Sequence, residues 1–366
     1  MDKNRQGKEL LKSFWLYTLI FLGGAALLVF VTDPFFHYHA PWFGLAPVQS
    51  TYQYQTQGVL DHFEYDSILT GSSVVMSMDT GELDKDLGCR TVKAVGNSAP
   101  VPLLLSYLER AYQSHDIKNV FYGLDVFSFY NDPDMQVYEK EVTYIINSNP
   151  FDDIKYLLNG SVIGEKIPDI LAATVGGYDE GFAYSFNQNR KSGADEVLSD
   201  YFSQRNTDNW VIPEYSKADV AENIRRLEVM VSGHPETRFR FFMPAYSILW
   251  WNRAYEQGIF EDYLNTLSVC FQVLLQYDNA EIYSTNFNNA SIIADLNQYV
   301  DLAHGSVQVT EMMTREIGEG GRKITLLNYE EELSILREVL KEFRYRVEKE
   351  GFGKVCCGRD TGRVKY

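Results

Sequence analysis

The feature that most constrains this chain is a run of 19 uncharged, mostly apolar residues at 14–32, FWLYTLIFLGGAALLVFVT. As a helix rising about 1.5 Å per residue, such a run is about long enough to cross ~30 Å of hydrocarbon. No other stretch of the 366 residues approaches it. Lys3, Arg5, Lys8 and Lys12 precede the run, and the next Lys or Arg is Lys85. The positive-inside rule therefore expects a cytoplasmic basic segment (1–13), a single-pass transmembrane signal anchor (14–32) and an extracytoplasmic remainder. A cleaved signal peptide is the alternative. Against it, the run exceeds an ordinary h-region and no A-x-A-like site closes it. Trp15, Tyr17, Phe35, Phe36, His37, Tyr38 and Trp42 flank the run in the manner of an interfacial aromatic belt.

Charge narrows the partners. A formal net charge of −17 and a pI near 4.8 leave no basic surface to replace counterions on phosphates, so nucleic acid is excluded as a partner. The aromatic share of 14% suits a protein that handles sugars or sits at a membrane. Cys89 and Cys270 stand alone and Cys356-Cys357 are adjacent, with no C-x-x-C or Cys/His spacing. The expectation is no disulfide, no metal and no cofactor.

Beyond the run, residues 33–65 form an aromatic, proline-bearing lead-in, and an alternation of strands and helices follows. Apolar runs at 67–70, 91–95, 118–126, 238–243 and 281–284 read as buried strands. Helical spacing covers 101–112, 253–277 and 307–317. A polar, Asn/Asp/Gly-rich stretch at 131–235 reads as one long insertion, and 321–366 as a charged helix (328–350) and tail. Strands separated by helices imply an α/β domain at 66–320 with a parallel sheet, its ligand crevice at the strands' C-terminal ends.

Two motifs fall at that edge. In YDSILTGSSVVMSMD, Gly71-Ser72-Ser73 follows the first strand. A hydroxyl on such a turn can serve as a nucleophile, its own N–H facing a developing oxyanion, although small residues also suit a purely structural turn. In YVDLAHGS, Asp301-x-x-His304 follows the last strand. An aspartate three residues before a histidine can accept Nδ1–H and leave Nε2 to deprotonate a serine; a helix cap is the plain alternative. Of the six histidines only His304 is both core-proximal and acid-flanked. Trp250 and Trp251, in FMPAYSILWW, suit sugar stacking or a core role, and Asp295 is a backup for Asp301.

A serine block after the first strand and D-x-x-H after the last resemble the SGNH/GDSL hydrolase superfamily. Gly71-Ser72-Ser73-Val74 stands in for the G-D-S-L block, with Ser73 as nucleophile and Ser72 in the Asp position. Gly96, in AVGNSAP, is similar to the second-block oxyanion glycine, with Asn97 beside it. The third block, G-x-N-D, falls on Gly123-Leu124-Asp125, where the oxyanion Asn is missing. A carboxylate at Asp125 would repel an oxyanion, so Asn97 supplies a donor, Asp125 has another role, or activity is weak. The layout resembles the membrane-anchored SGNH-like proteins of Gram-positive envelopes, among them the D-alanylation proteins of teichoic-acid operons. That resemblance implies a three-layer, flavodoxin-like fold and an esterase or O-acyltransferase acting on a cell-wall polymer or glycan ester, beside a multipass acyltransferase partner. The alternative it leaves open is a non-catalytic SGNH-fold module that binds glycan or scaffolds that partner.

Overall fold

The computed structural model describes residues 3–138, 142–147, 149–205, 207, 215–284 and 290–357. Two compact units divide the chain: Met1–Phe63 with Tyr138–Glu180, and Glu64–Val137 with Gly181–Tyr366. The stretch 131–235 is therefore not one insertion. Residues 138–180 of it belong with the N-terminal region, and 131–137 and 181–235, including the helix Lys217–Gly233, belong with the sheet.

The first unit carries the helix Lys3–Thr32, of which Gly7–Thr32 is long and apolar enough to cross a membrane; a signal sequence meets the same description. Just past its end Asp33 is buried at φ 35°, and its carboxylate accepts the N–H groups of His37 (3.0 Å), Tyr38 (2.7 Å) and His39 (3.0 Å) and the Tyr156 hydroxyl (2.8 Å). An unpaired buried carboxylate is costly, so four donors organise the segment around it. As a result Phe35 and Phe36 point inward. Phe35 stacks on Tyr54 (4.8 Å) and Tyr156 (5.1 Å), and neither phenylalanine belongs to an interfacial belt. The lead-in also contains a helix of its own, Tyr52–His62.

The second unit holds a six-stranded mixed sheet: β1 (Ser67–Gly71), β2 (Thr91–Val95), β3 (Asn119–Gly123), β4 (Arg238–Phe242), β5 (Ala280–Tyr283) and β6 (Lys323–Ile324), in the order β2-β1-β3-β4-β5-β6. The first five run parallel; β6 pairs antiparallel with β5 and brings into the sheet residues expected to be tail. β1 and β2 are buried along their whole length, as strands covered on both faces are. The helix Thr80–Leu87, with Asp79 as N-cap and Gly88 in the left-handed conformation past its end, links β1 to β2 and packs on Val307–Gly318. Val101–Tyr112 packs on Lys217–Gly233, which packs on Phe260–Leu274. The single helix expected at 253–277 is instead two, Ile248–Glu256 and Phe260–Leu274, broken at Gly258 (φ +76°), a conformation that side-chain-bearing residues resist.

The strand order reverses at β1. β2 lies on one side of it and β3 on the other, so the connections leave their C-terminal ends in opposite directions and open a crevice there.

Candidate active site

Ser73 sits in the turn that leaves β1. Gly71 has φ +151°, and a Cβ on it would lie 3.0 Å from Val75 Cγ2 and 3.4 Å from Gly123 Cα. A Cβ on Gly123, at the end of β3, would meet Val75 Cγ1 at 2.8 Å. The two glycines let the turn fold down against the neighbouring strand, and the chain then tightens through Val75 N–H to Ser72 O (3.1 Å) and Met76 N–H to Ser73 O (3.3 Å). Ser72 is fully buried and its N–H donates to Asp125 Oδ2 (2.9 Å), while Ser73 is half-exposed. The Ser73 N–H has no hydrogen-bond partner among the described residues.

Asp301 and His304 lie in a pinched loop. Tyr299 and Gly305 form an isolated antiparallel bridge, closed by Val300 N–H to His304 O (2.9 Å) and Ser306 N–H to Gln298 O (2.7 Å). Side chains from distant parts of the chain fix it. Asn187 Nδ2 donates to Gly305 O (2.9 Å), Asp200 Oδ2 accepts from Leu302 N–H (3.0 Å), and Ser247 Oγ donates to Leu302 O (2.6 Å). The loop ends before the helix Val307–Gly318, so His304 stands ahead of that helix and outside its first turn.

The structure brings these two segments together. His304 Nε2 lies 2.8 Å from Ser73 Oγ, and His304 Nδ1 lies 2.8 and 2.9 Å from the two oxygens of Asp301. Asp301 also accepts the N–H groups of Ala303 (3.0 Å) and His304 (2.9 Å), and Arg190 Nη1 at 2.7 Å. Burial pushes the Asp301 carboxyl up, but the hydrogen bonds and charge of His304 and the two backbone donors outweigh it and hold the group well below the usual carboxylate range. An ionised Asp301 fixes the imidazole with Nδ1–H toward itself, which leaves the Nε2 lone pair facing the Ser73 hydroxyl. Phe186 closes one side of the imidazole, edge to face at 4.9 Å.

Asp125 takes none of the oxyanion-facing positions. It is 1% exposed and lies beneath the turn, accepting the Ser72 N–H and the Tyr246 hydroxyl. Burial pushes its carboxyl up to about 6, against the hydrogen bonds of Tyr246 and Ser72. Of the three alternatives left open there, this placement favours another role for Asp125, beneath the turn. Gly96 departs from its expected role: its N–H donates to Gly71 O at 3.3 Å, extending the β1–β2 ladder, so that donor is engaged within the sheet. Asn97 is exposed and does not line the cleft. Ser98 does line it, at φ 45°, a conformation uncommon away from glycine that marks a held loop position.

The cleft in front of Ser73 has a volume of about 1190 Å³ and is walled by the helices Ala194–Arg205 and Ile248–Glu256. Trp250 lines it, with its ring stacked on Tyr246 (4.1 Å) and Tyr263 (5.8 Å); Trp251 is fully buried in the core. Asp295 bonds to Asn297 and Gln298 and caps a short turn, away from His304. Arg190, Phe186, Asn187 and Asp200 escape sequence reading because they fall in a polar, weakly periodic stretch. The one available signal was FNQNRK, an Arg-Lys pair beside amides in an acidic chain.

Among the described residues no three His, Cys, Asp or Glu side chains gather as a metal site requires. A scan against protein-family models returns no matching model, and a search of curated proteins finds no match.

Proposed function

We propose that the chain is a serine ester hydrolase or O-acyltransferase of SGNH type, held at a membrane by its N-terminal helix. The observation that carries this is the alignment Ser73 Oγ–His304 Nε2 (2.8 Å) and His304 Nδ1–Asp301 (2.8 Å), built from segments 231 residues apart. A structural hydrogen bond alone does not require a half-exposed serine at the mouth of a large cleft and an ionised carboxylate behind the histidine. The parallel strand order 2-1-3-4-5, that of doubly wound flavodoxin-like sheets, supports a three-layer fold with the site at the switch point.

Chemically, His304 Nε2 takes the Ser73 proton as Oγ bonds to the ester carbonyl carbon, and Asp301 stabilises the resulting imidazolium. The oxyanion faces the Ser73 N–H, and Ser98 is a further polar residue lining the same cleft. His304 then returns the proton to the departing alkoxide, leaving an acyl-Ser73. Water or an acceptor hydroxyl, deprotonated by the same imidazole, attacks that ester and restores Ser73. By resemblance the substrate is an ester on a cell-envelope polymer and the membrane partner a multipass acyltransferase.

The purified full chain should hydrolyse p-nitrophenyl acetate, and Ser73→Ala and His304→Ala should each reduce turnover at least about 1,000-fold. Turnover unchanged in both variants rejects the proposal. A second reading, a non-catalytic glycan-binding or scaffolding module on the same fold, is favoured by the engaged Gly96 N–H and the missing third-block amide. It expects an inert Ser73 together with retention on immobilised envelope polymer.

A further inference from the structure

The helix Lys3–Thr32 is not bare over its whole length. Ala25 and Ala26 are half-buried and Val29 is fully buried, packed with Phe35, Ile145, Tyr156, Val162 and Ile167 of its own unit. The chain thus grips the last two turns of the helix. Lys12, the last charge before the apolar run, lies 13 residues ahead of Ala25 in one continuous helix. At about 1.5 Å per residue that leaves about 20 Å of uncovered apolar helix, against about 30 Å of hydrocarbon. A charged Lys12 cannot sit at the bilayer centre, so if the helix spans, the gripping collar meets hydrocarbon before the helix has left it.

The collar is built for that contact. Around the last turn of the helix, Phe30 meets Trp42 (5.9 Å), which leads to Phe43, 86% exposed; Phe30 also meets Tyr38 (5.0 Å). The Tyr38 hydroxyl donates to Asp153 (3.0 Å), placing beside it Phe151, 87% exposed, and Ile154, 58% exposed. Ala46 N–H donates to Thr174 Oγ1 (2.9 Å), which joins the Phe43 turn to the helix Ile167–Gly176 and its Val175, 91% exposed. Isolated exposed apolar residues are ordinary, but each of these lies within three residues of a group that packs on, or bonds to the segment around, one end of an apolar helix.

We propose that this rim is a lipid-embedded collar, in which Phe43, Phe151, Ile154 and Val175 enter the acyl-chain boundary of the leaflet on the C-terminal side of the helix. The depth required is about 10 Å, the upper end of what interfacial apolar faces reach. Lys155, 60% exposed and paired with Asp152 (3.1 Å), follows Ile154 in the same turn, a long cationic side chain able to reach toward the headgroups while Ile154 enters the acyl boundary. The inference rests on the helix spanning a membrane, as in the proposed function, and not on the Ser73 chemistry.

The test uses the full chain in liposomes of phosphatidylcholine and phosphatidylglycerol containing a lipid with a diazirine on its acyl chain, with adducts mapped by mass spectrometry after illumination. The collar account expects adducts on residues 14–32 and also on Phe43, Phe151 and Val175. The triple variant F43D/F151D/V175D, changed only at exposed positions, should keep adducts on the anchor helix and lose at least about 80% of the collar adducts at Trp42 and Ile154. Adducts confined to residues 14–32 overturn the collar, because the bilayer then thins to meet a short span. Adducts on neither segment overturn the spanning helix as well.

Discussion

The two segments that meet at the site are held by different means. The turn bearing Ser73 is shaped from the strand ends beside it: Gly71 and Gly123 admit the close approach, and Asp125 at the end of β3 holds the Ser72 N–H. The loop bearing Asp301 and His304 is held by side chains from far along the chain, namely Asn187, Arg190, Asp200 and Ser247. The position of Ser73 is thus a matter of backbone packing, and the orientation of His304 a matter of hydrogen bonds and charge. Damage to the first should appear as lost stability, and damage to the second as slowed catalysis with an altered pH profile.

The largest effect that would separate them is Asp301→Asn. It keeps the volume but turns one carboxylate oxygen into an NH2 donor, which favours the other imidazole tautomer, so kcat should fall by about 10,000-fold while the thermal melt stays within a few degrees. A comparable loss of stability would place Asp301 with the packing residues. Next is Gly123→Ala, whose methyl meets Val75 Cγ1 at 2.8 Å; urea unfolding should show a loss of about 1–3 kcal/mol, with kcat reduced less than in Asp301→Asn. Unchanged stability there breaks the packing half of the comparison.

Arg190→Gln is smaller. The guanidinium is 43% exposed, so its ion pair with Asp301 adds little stability. Removing a cation next to the His304–Asp301 pair should move the acid limb of kcat/KM to higher pH and change kcat several-fold; a pH profile identical to the parent's makes Arg190 a surface residue. Smallest is the linkage at Asp125. Its carboxyl is raised in the folded chain to about 6, so its contribution to stability is complete below the ordinary carboxylate pKa and is lost as pH rises through about 6. The depressed Asp301 works in the opposite sense, stabilising above the ordinary carboxylate range and losing that contribution in acid. Melting temperatures of the parent between pH 5 and 7.5 should therefore contain a falling component that is absent in Asp125→Asn. Parallel curves mean that Asp125 does not titrate there.

The same division governs what was legible beforehand. β1, β2 and β4 and the helix Val101–Tyr112 announce themselves through local apolar runs or 3.6-residue spacing, and Ser73, Asp301 and His304 follow from their order around such strands. Features settled by one residue's backbone or by long-range pairing were not legible. Gly258 divides a helix whose apolar stripe reads as continuous, and Lys323–Ile324 becomes a strand only through pairing with β5. Gly96 and Asp125 were assigned by analogy to positions in a pattern. Their actual partners, Gly71 O and the Ser72 N–H with the Tyr246 hydroxyl, depend on atoms that a spacing does not specify. The clamp on the loop of Asp301 and His304 comes largely from 187–200, where nothing periodic draws attention to Asn187 or Arg190.

The most direct measurement is covalent. The full chain treated with a fluorophosphonate and analysed by intact and peptide mass spectrometry should carry one adduct per chain, on Ser73, formed at least about 100-fold more slowly in His304→Ala and absent in Ser73→Ala. No adduct on the parent chain, or an adduct on another residue that persists in Ser73→Ala, would contradict an activated Ser73.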